Sequence, residues 1–292
     1  VPGEQYILDT TRPPNVGTIT GPTSPGKNSS PTFSWDAVDD GTWGSGIKHY
    51  EVQIKKGSDP IAAADPATVM GTSWTPTSPL SDETYKIQVR AVDNVNLASA
   101  GWTESTEYWL DTVPPDPATA IVVPPSPGTN KKPEWTWTAA TDNVGGSGVK
   151  GYNITVSADD GLTYGTVAPA FAAGESWTPT NDLADGKYKI KVVAVDNAGN
   201  TSAPEAAATS YHLDTTPPSV PGTFVNPTPN PGTANNPTWT WDSCVDAAGG
   251  VGLHSTLPYE VAISTDGGTS WSVAIPDAVN AASWTPNPVL SA

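Results

Sequence analysis

Cysteine, basic residues and long apolar runs are all scarce in this sequence. Its single cysteine, Cys244, rules out an internal disulfide framework. No apolar run approaches the roughly 18 residues that a membrane-spanning helix needs, so we predict no membrane span. Only 13 residues are Lys or Arg against 30 Asp or Glu, and the formal net charge of −17 excludes the basic surface of a nucleic-acid-binding protein.

Charged residues account for only 15% of the chain, compared with ~25% in an average domain. Threonine, serine, proline, glycine, asparagine and tryptophan take their place, which is typical of an extracellular β-protein with many turns. The lack of disulfides favours a bacterial or archaeal exterior over an animal one. We therefore predict an extracellular or cell-surface prokaryotic protein, whose acidic surface keeps copies apart in water and can attract divalent cations.

One segment occurs three times and divides the chain. Its copies, each a closing Tyr-x-Leu-Asp-Thr sequence followed by two prolines, are Tyr6–Pro14, Tyr108–Pro115 and Tyr211–Pro218, and the leucines of successive copies lie 102 and 103 residues apart. A fixed period of this size indicates tandem modules. Because proline fixes φ and restricts the residue before it, each joint is expected to be a short, stiff spacer. The joint prolines are Pro13, Pro14, Pro114, Pro115, Pro217 and Pro218.

The period predicts four segments: residues 1–11 as the closing strand of a preceding or neighbouring module, 12–112 as the first β-sandwich repeat, 113–215 as the second, and 216–292 as a third that lacks its last strands. A module in that state would expose its core and a sheet edge. Two explanations stay open: a window of a longer repetitive chain, or a subunit whose N-terminal strand completes the open sheet of another copy. The expected partners are further copies of the protein or further repeats of the same chain.

Alternation of apolar and polar residues predicts the strands within each repeat. In the second repeat Trp135 and Trp137 lie two residues apart, and Tyr188, Ile190 and Val192 alternate with lysines. Residues two apart share one face of a strand, so each set points into one core. Helical periodicity is missing throughout. The predicted core residues are Phe33, Trp35, Tyr50, Leu80, Tyr85, Trp135, Trp137, Tyr152, Leu183, Tyr188, Trp239, Trp241 and Tyr259.

These patterns resemble a known family. Leu183–Tyr188 resembles the tyrosine corner of antiparallel sandwiches, and Trp137, Tyr152 and Ala194–Asp196 fall where fibronectin type III domains carry similar residues. The Leu-Asp-Thr-x-Pro-Pro joint is similar to that of tandem bacterial Ig-like and fibronectin type III-like repeats in secreted or surface-attached proteins. The resemblance implies an all-β fold: tandem seven-stranded antiparallel β-sandwiches in a linear array.

Five aspartates at or near the joints could gather oxygen ligands for Ca²⁺, which takes 6–8 of them. They are Asp9, Asp93, Asp111, Asp196 and Asp214. The sequence has no dense Asp-x-Asp-x-Asp loop, and an Asp beside a Thr commonly caps a turn through the backbone. We therefore prefer the turn interpretation and predict no cofactor, with Ca²⁺ as the alternative.

We predict no enzymatic activity for the chain, because no nucleophile, base and orienting group occur in a recognisable motif. The three histidines fall in different repeats and have no motif partner. Trp43, Trp102 and Trp109 could stack on surface glycans, although packing against protein is the preferred interpretation.

Two functions fit these features. The leading hypothesis is a non-catalytic module array of an extracellular or cell-surface fibre, stalk or adhesin that provides reach and cohesion. The alternative is a spacer or carbohydrate-binding region of a secreted polysaccharide-active enzyme. Repeats of this type accompany both classes of protein, so the fold by itself does not choose between them.

Overall fold

The computed structural model describes residues 8–57, 59–60, 66–165, 167–228, 233 and 235–287, and for residues 59–60, 167–169 and 273–278 it describes the backbone alone. Every regular element in these ranges is a β-strand. A helix long and apolar enough to cross a membrane is not found in the described ranges. Three features expected from the sequence lie largely or wholly outside them: the first closing strand at Tyr6–Asp9, the turn at 230–234 and the segment 290–292.

The strands follow the 102–103-residue period of the sequence. The first repeat contains β1 (Ile19–Thr20), β2 (Phe33–Trp35), β3 (Ile47–Lys56), β4 (Asp59–Pro60), β5 (Ala67–Val69), β6 (Ser73–Trp74), β7 (Glu83–Asp93), β8 (Thr103–Glu104) and β9 (Tyr108–Leu110). The second contains β10 (Thr119–Val122), β11 (Trp135–Thr138), β12 (Val149–Ser157), β13 (Val167–Ala172), β14 (Ser176–Trp177), β15 (Gly186–Asp196), β16 (Glu205–Ala206) and β17 (Tyr211–Leu213). The third contains β18 (Phe224–Val225), β19 (Trp239–Trp241), β20 (Tyr259–Ile263), β21 (Ser272–Val279) and β22 (Ser283–Trp284).

Two antiparallel sheets make up each of the first two repeats. In the first repeat, β1, β2 and β6 form one sheet, and the other is built on the long β3–β7 pair, with β4 and β5 against β3 and β8 and β9 against β7. The second repeat has the same order, with β10–β11–β14 in one sheet and β12–β15 at the centre of the other. The expected all-β, antiparallel fold is confirmed.

Apolar residues of both sheets meet in a core in each repeat. Along β15 the side chains of Ile190, Val192 and Ala194 are fully buried, while Lys191 and Val193 between them are partly exposed. Trp137 packs edge-to-face on Tyr152 with ring centroids 5.2 Å apart. The same pair recurs at 5.4 Å in each of the other two repeats. The aromatic geometry of the core therefore repeats with the sequence.

Most of the predicted core residues are buried, with two exceptions. Leu80 and Trp239 are partly buried and pack against the edges of their cores. The buried ones are Phe33, Trp35, Tyr50, Tyr85, Trp135, Trp137, Tyr152, Leu183, Tyr188, Trp241 and Tyr259.

The tyrosine corners bend the chain back onto itself. The Tyr188 hydroxyl donates to the carbonyl of Ala184, four residues upstream, at 2.7 Å. Tyr85 donates to the carbonyl of Ser81 at 2.8 Å in the same way. These bonds satisfy hydroxyls that would otherwise be partly buried without a partner.

The third repeat is described only in part. Its β18–β19–β22 sheet faces the β20–β21 pair across a small core of Trp241, Cys244, Tyr259 and Trp284. In the first two repeats a long strand, β7 or β15, pairs with the strand equivalent to β20. The described residues of the third repeat contain no strand in that position.

Candidate metal centres at the joints between repeats

The aspartate of each joint binds both its own turn and the next repeat. One carboxylate oxygen of Asp111 accepts a hydrogen bond from the amide of Val113 at 3.1 Å, and the other accepts from the amide of Ser147 in the second repeat at 2.7 Å. The equivalent bonds are Thr11 and Ser45 to Asp9, and Thr216 and Val251 to Asp214. The two amide bonds to Asp9 lower its pKa below the ordinary value. The turn expected from the sequence is thus present, and the same carboxylate also contacts the following module.

At the second and third joints the threonine after the aspartate is held by the preceding repeat. Asp82 accepts bonds from the amide and hydroxyl of Thr112 at 3.0 and 2.9 Å. Asp185 does the same for Thr215, and the hydroxyls of Thr216 and Thr215 lower the pKa of Asp185. The second and third joints are therefore bonded on one side to the module before them and on the other to the module after them.

A second aspartate comes from a glycine-rich loop in each repeat. Asp142 accepts from the amide of Gly148, six residues on, at 2.6 Å. Gly148 has φ of +81°, and a Cβ at Gly146 would lie 2.7 Å from the Asp142 carboxylate, so both positions favour glycine. The equivalent pairs are Asp40 with Gly46 and Asp246 with Gly252. The loop glycines allow the backbone to wrap closely around the carboxylate.

A third aspartate ends the long central strand of the first two repeats. Asp93 ends β7 and Asp196 ends β15, and both side chains are fully buried. One oxygen of Asp93 accepts from the amides of Val95 and Leu97 at 2.9 and 2.8 Å. The equivalent bond to Asp196 comes from the amide of Asn200 at 2.8 Å.

The three aspartates converge into one cluster per joint. In the cluster of Asp9, Asp40 and Asp93, and again in that of Asp111, Asp142 and Asp196, each residue supplies a carboxylate oxygen within 4.8 Å of the other two. Four of the five Ca²⁺ candidates from the sequence are thus brought together in pairs. The fifth, Asp214, reaches the loop of Asp246 through Val251, and no third carboxylate joins them among the described residues.

Sequence reasoning missed the loop aspartates. A signal for them exists, because Asp40, Asp142 and Asp246 each precede a positive-φ glycine by six residues. The spacing recurs with the repeat. Because the same spacing also occurs in ordinary turns, it does not by itself indicate that the aspartate lies beside the joint.

The Asp-Gly hairpins elsewhere in the chain use their carboxylates to hold the turn. Asp159 accepts from the Ser157 hydroxyl at 2.6 Å and from the amide of Thr163 at 2.8 Å. The side-chain bonds from Ser157 and Thr163 lower the pKa of Asp159 to about 2. Asp266 has the same arrangement with Ser264 and Ser270, which lowers its pKa as well. These turns are structural.

The lowered pKa of Asp159 predicts a pH-dependent contribution to stability. Because the folded pKa of about 2 lies below the ordinary value of 3.8, the stabilisation is present above pH ~4 and is lost as the pH falls through ~2. Asp159→Asn should therefore be less stable than the unchanged chain at pH 5, with the difference shrinking towards pH 2. Thermal unfolding followed by circular dichroism at pH 5, 4, 3 and 2 measures this.

Glu175→Gln is the matched control, because the exposed Glu175 side chain makes no hydrogen bond within the described structure. It should shift the unfolding midpoint equally little at every pH. A constant difference between Asp159→Asn and the unchanged chain from pH 5 to 2 would contradict the prediction.

Of the three tryptophans considered for sugar stacking, only Trp43 is strongly exposed. Trp43 is 82% exposed, so the packing expected for it is wrong. Trp102 is partly buried with the Arg90 guanidinium 4.5 Å above its ring, and Trp109 is also partly buried. Trp271, in the third repeat, is the other strongly exposed tryptophan of the described chain. A row of exposed rings, as a polysaccharide platform requires, is not formed by the described residues.

One cleft of about 670 Å³ lies in the third repeat. Its walls include Phe224, Trp239, Trp241, Tyr259 and Trp284. These residues come from β18, β19, β20 and β22, and therefore from both sheets of the third repeat. We interpret it as sandwich core and not as a ligand cleft.

The histidines do not form a site. His49, His212 and His254 belong to three different repeats, and none lies in a group of potential metal ligands among the described residues. His212 contacts the carbonyl of Gly249 across the third joint at 2.9 Å. Among the described residues, the carboxylate clusters are therefore the candidate sites for a metal ion.

Parts of the chain are similar to known bacterial proteins. Residues 129–215 match the family model of the bacterial Ig-like domain. The chain is 33% identical over 233 residues to Exoglucanase B of Cellulomonas fimi, covering 76% of this chain and 19% of that protein. It is 30% identical over 228 residues to Chitinase A1 of Niallia circulans, covering 75% and 29%. The chain thus spans less than a third of the length of either relative.

A solved structure of fibronectin(III)-like modules of Clostridium thermocellum CbhA also matches. It is 14% identical, covers 68% of this chain and 94% of that chain, and has a TM-score of 0.39.

Proposed function

Residues 129–215 form a bacterial Ig-like domain within a tandem array of Ig-like and fibronectin III-like repeats, and from this premise we propose that the array is a non-catalytic spacer of a secreted bacterial polysaccharide-active enzyme. The observation that carries the proposal is the similarity to two polysaccharide-degrading enzymes over more than two repeats. Because the match spans the joints, it concerns the array and not one isolated module. The spacer works outside the cell, where the enzyme's polymer substrate is found.

The structure supports a mechanical role for the array. At the second and third joints the aspartate and threonine are bonded to the modules on both sides. The ammonium group of Lys27 in the first repeat also donates to the carbonyl of Gly199 in the second at 2.7 Å. Such contacts limit the angles between modules. Rigid spacing keeps a catalytic domain at a set distance from its neighbours, whereas a flexible linker would let it collapse onto them.

The fibre or adhesin, which led among the sequence-based hypotheses, has less support. The relatives carry the names of an exoglucanase and a chitinase, and neither name denotes a surface fibre. A carbohydrate-binding role for the array is also disfavoured, since the exposed Trp43 and Trp271 belong to different repeats. We therefore assign spacing as the function and place substrate binding and hydrolysis in other domains of the enzyme.

The first test uses the 292-residue chain. Incubated with crystalline cellulose or chitin, it should release no reducing sugar above the buffer value and should remain in the supernatant when the polymer is sedimented. Hydrolysis would overturn the non-catalytic assignment. If the chain sediments with the polymer and the Trp43→Ala variant does not, the spacer assignment is overturned in favour of glycan binding.

The second test uses the full-length polypeptide that carries the array. Deleting residues 113–215 should leave hydrolysis of a soluble oligosaccharide unchanged and lower hydrolysis of insoluble polymer. A full-length polypeptide without any catalytic domain would contradict the enzyme assignment and favour the fibre.

A further inference from the structure

Two carboxylate oxygens of the first joint cluster are buried without a partner. Asp40 is 8% exposed and Asp93 is 0% exposed, yet Oδ1 of Asp40 and Oδ2 of Asp93 accept no hydrogen bond within the described structure. A buried carboxylate oxygen without a donor loses its hydration and gains nothing in return. Two such oxygens in one cluster indicate that a ligand belongs there.

The second cluster shows what the first one lacks. The side-chain amide of Asn200 donates to Oδ2 of Asp196 at 2.8 Å and to the backbone carbonyl of Asp111 at 2.9 Å. The equivalent residue in the first repeat is Leu97. Its carbonyl accepts a hydrogen bond from the amide of Asp93, just as the carbonyl of Asn200 accepts one from the amide of Asp196. Leucine has no donor, so Oδ2 of Asp93 is left unpaired. The loop aspartates differ as well, because Oδ1 of Asp142 accepts from the amide of Asn143 at 3.0 Å and Oδ1 of Asp40 has no donor.

No basic side chain compensates the charge of the first cluster. None of the ion pairs among the described residues includes Asp9, Asp40 or Asp93. Three carboxylates within 4.8 Å of one another repel strongly when they are buried. Buried charges in proteins are paired or coordinate a metal.

We propose that Asp9, Asp40 and Asp93 bind one Ca²⁺ ion, and that the second cluster, where Asn200 already supplies a donor, binds Ca²⁺ more weakly. The donors are all carboxylate oxygens, the ligands that a hard cation prefers, with no sulfur or imidazole to favour a transition metal. Ca²⁺ tolerates irregular oxygen cages, whereas Mg²⁺ demands a near-ideal octahedron.

The ion would join three separate parts of the first repeat. Asp9 lies in the joint segment, Asp40 in the glycine-rich loop and Asp93 at the end of β7. Binding therefore fixes the joint segment to the module that follows it, in addition to the amide bond from Ser45. This inference does not depend on the enzyme assignment, because it concerns the stiffness of the array in any host protein.

The test uses CaCl₂ as the ligand and the full chain after treatment with a chelator. Isothermal titration should show saturable binding with a dissociation constant of about 10⁻³ M or tighter, the range of extracellular modules. A free Ca²⁺ concentration ten times the dissociation constant should raise the unfolding midpoint of the first repeat by about 6–11 °C. Absence of both effects would overturn the proposal.

Matched substitutions separate the two clusters. Asp93→Asn should weaken Ca²⁺ binding at least tenfold, and the equivalent Asp196→Asn should leave the tighter site unchanged. If both variants, or neither, lose the tighter site, the assignment to the first cluster is wrong.

Leu97→Asn is the sharper variant, because it adds the donor that the second repeat already has. It should raise the unfolding midpoint in the presence of chelator and reduce the further rise produced by Ca²⁺. Asn200→Leu should strengthen Ca²⁺ binding by the second cluster. A Leu97→Asn variant with an undiminished Ca²⁺ response would contradict the role assigned to Oδ2 of Asp93.

Discussion

Trp135→Ala is expected to lower the free energy of unfolding of the second repeat by about 3–5 kcal/mol. Trp135 is fully buried, stacks on Trp177 with ring centroids 5.6 Å apart and meets Tyr211 edge-on at 6.1 Å. These contacts join β11, β14 and the closing strand β17. Removing the indole would leave a cavity at the point where the two sheets and the joint meet. A loss of this size is a large part of the roughly 5–15 kcal/mol by which single domains are stable, so the second repeat should unfold at a clearly lower temperature.

Differential scanning calorimetry of the full chain measures this loss as the disappearance or shift of one of the module transitions. Trp43→Ala is the control, since Trp43 is 82% exposed and its removal should change stability by no more than about 0.5 kcal/mol. The loss of stability caused by Trp135→Phe should fall between those of Trp135→Ala and Trp43→Ala. The buried indole N–H of Trp135 has no hydrogen-bond partner, and phenylalanine removes that unsatisfied donor. Equal effects of Trp135→Ala and Trp43→Ala would contradict the assigned core.

Gly151→Ala is expected to destabilise the second repeat by about 1–3 kcal/mol. Gly151 lies on β12 with φ of +153°, and a Cβ there would be 2.5 Å from the carbonyl oxygen of Ala172 and 2.5 Å from the ring of Phe171. The carbonyl is part of β13 and cannot move without breaking its pairing with β12. The strain therefore cannot be relieved by a rotamer change.

The control for this substitution is Gly174→Ala. Nothing lies within 4 Å of a Cβ built at Gly174, and its φ is not positive, so alanine should be neutral or slightly stabilising. Urea unfolding followed by circular dichroism compares the two variants. A Gly151→Ala variant as stable as Gly174→Ala would show that β13 can shift away from β12.

Much of the fold is predictable from the sequence, for local reasons. Strand alternation such as that of Tyr188, Ile190 and Val192 reports which face is buried wherever one face of a sheet is covered. The repeat supports each strand prediction, because the aromatic pair Trp135 and Trp137 recurs as Phe33 and Trp35 and as Trp239 and Trp241. Strand alternation does not predict the partial burial of Leu80 and Trp239, because their burial depends on how far neighbouring strands cover each core edge.

The candidate site was predictable only in part. Asp111 and Asp196 were singled out because each stands in a recurring joint or turn, but they are 85 positions apart and nothing local indicates that they meet. Asp142 was missed because its spacing to Gly148 is also an ordinary turn feature. Leu97 leaves an oxygen of Asp93 without a donor, and this is visible only when its position in the structure is compared with that of Asn200.

By itself the sequence determined the all-β class, the period, the joints and the acidic, disulfide-free character of this protein. These properties depend on neighbouring residues and on composition, which a linear sequence displays directly. Tertiary structure alone decided that three carboxylates converge beside each of two joints, that Trp43 faces water, and that two oxygens of Asp40 and Asp93 lack donors. The physical reason is that such features arise from sheet pairing, which brings together residues far apart in the chain and excludes water from between them.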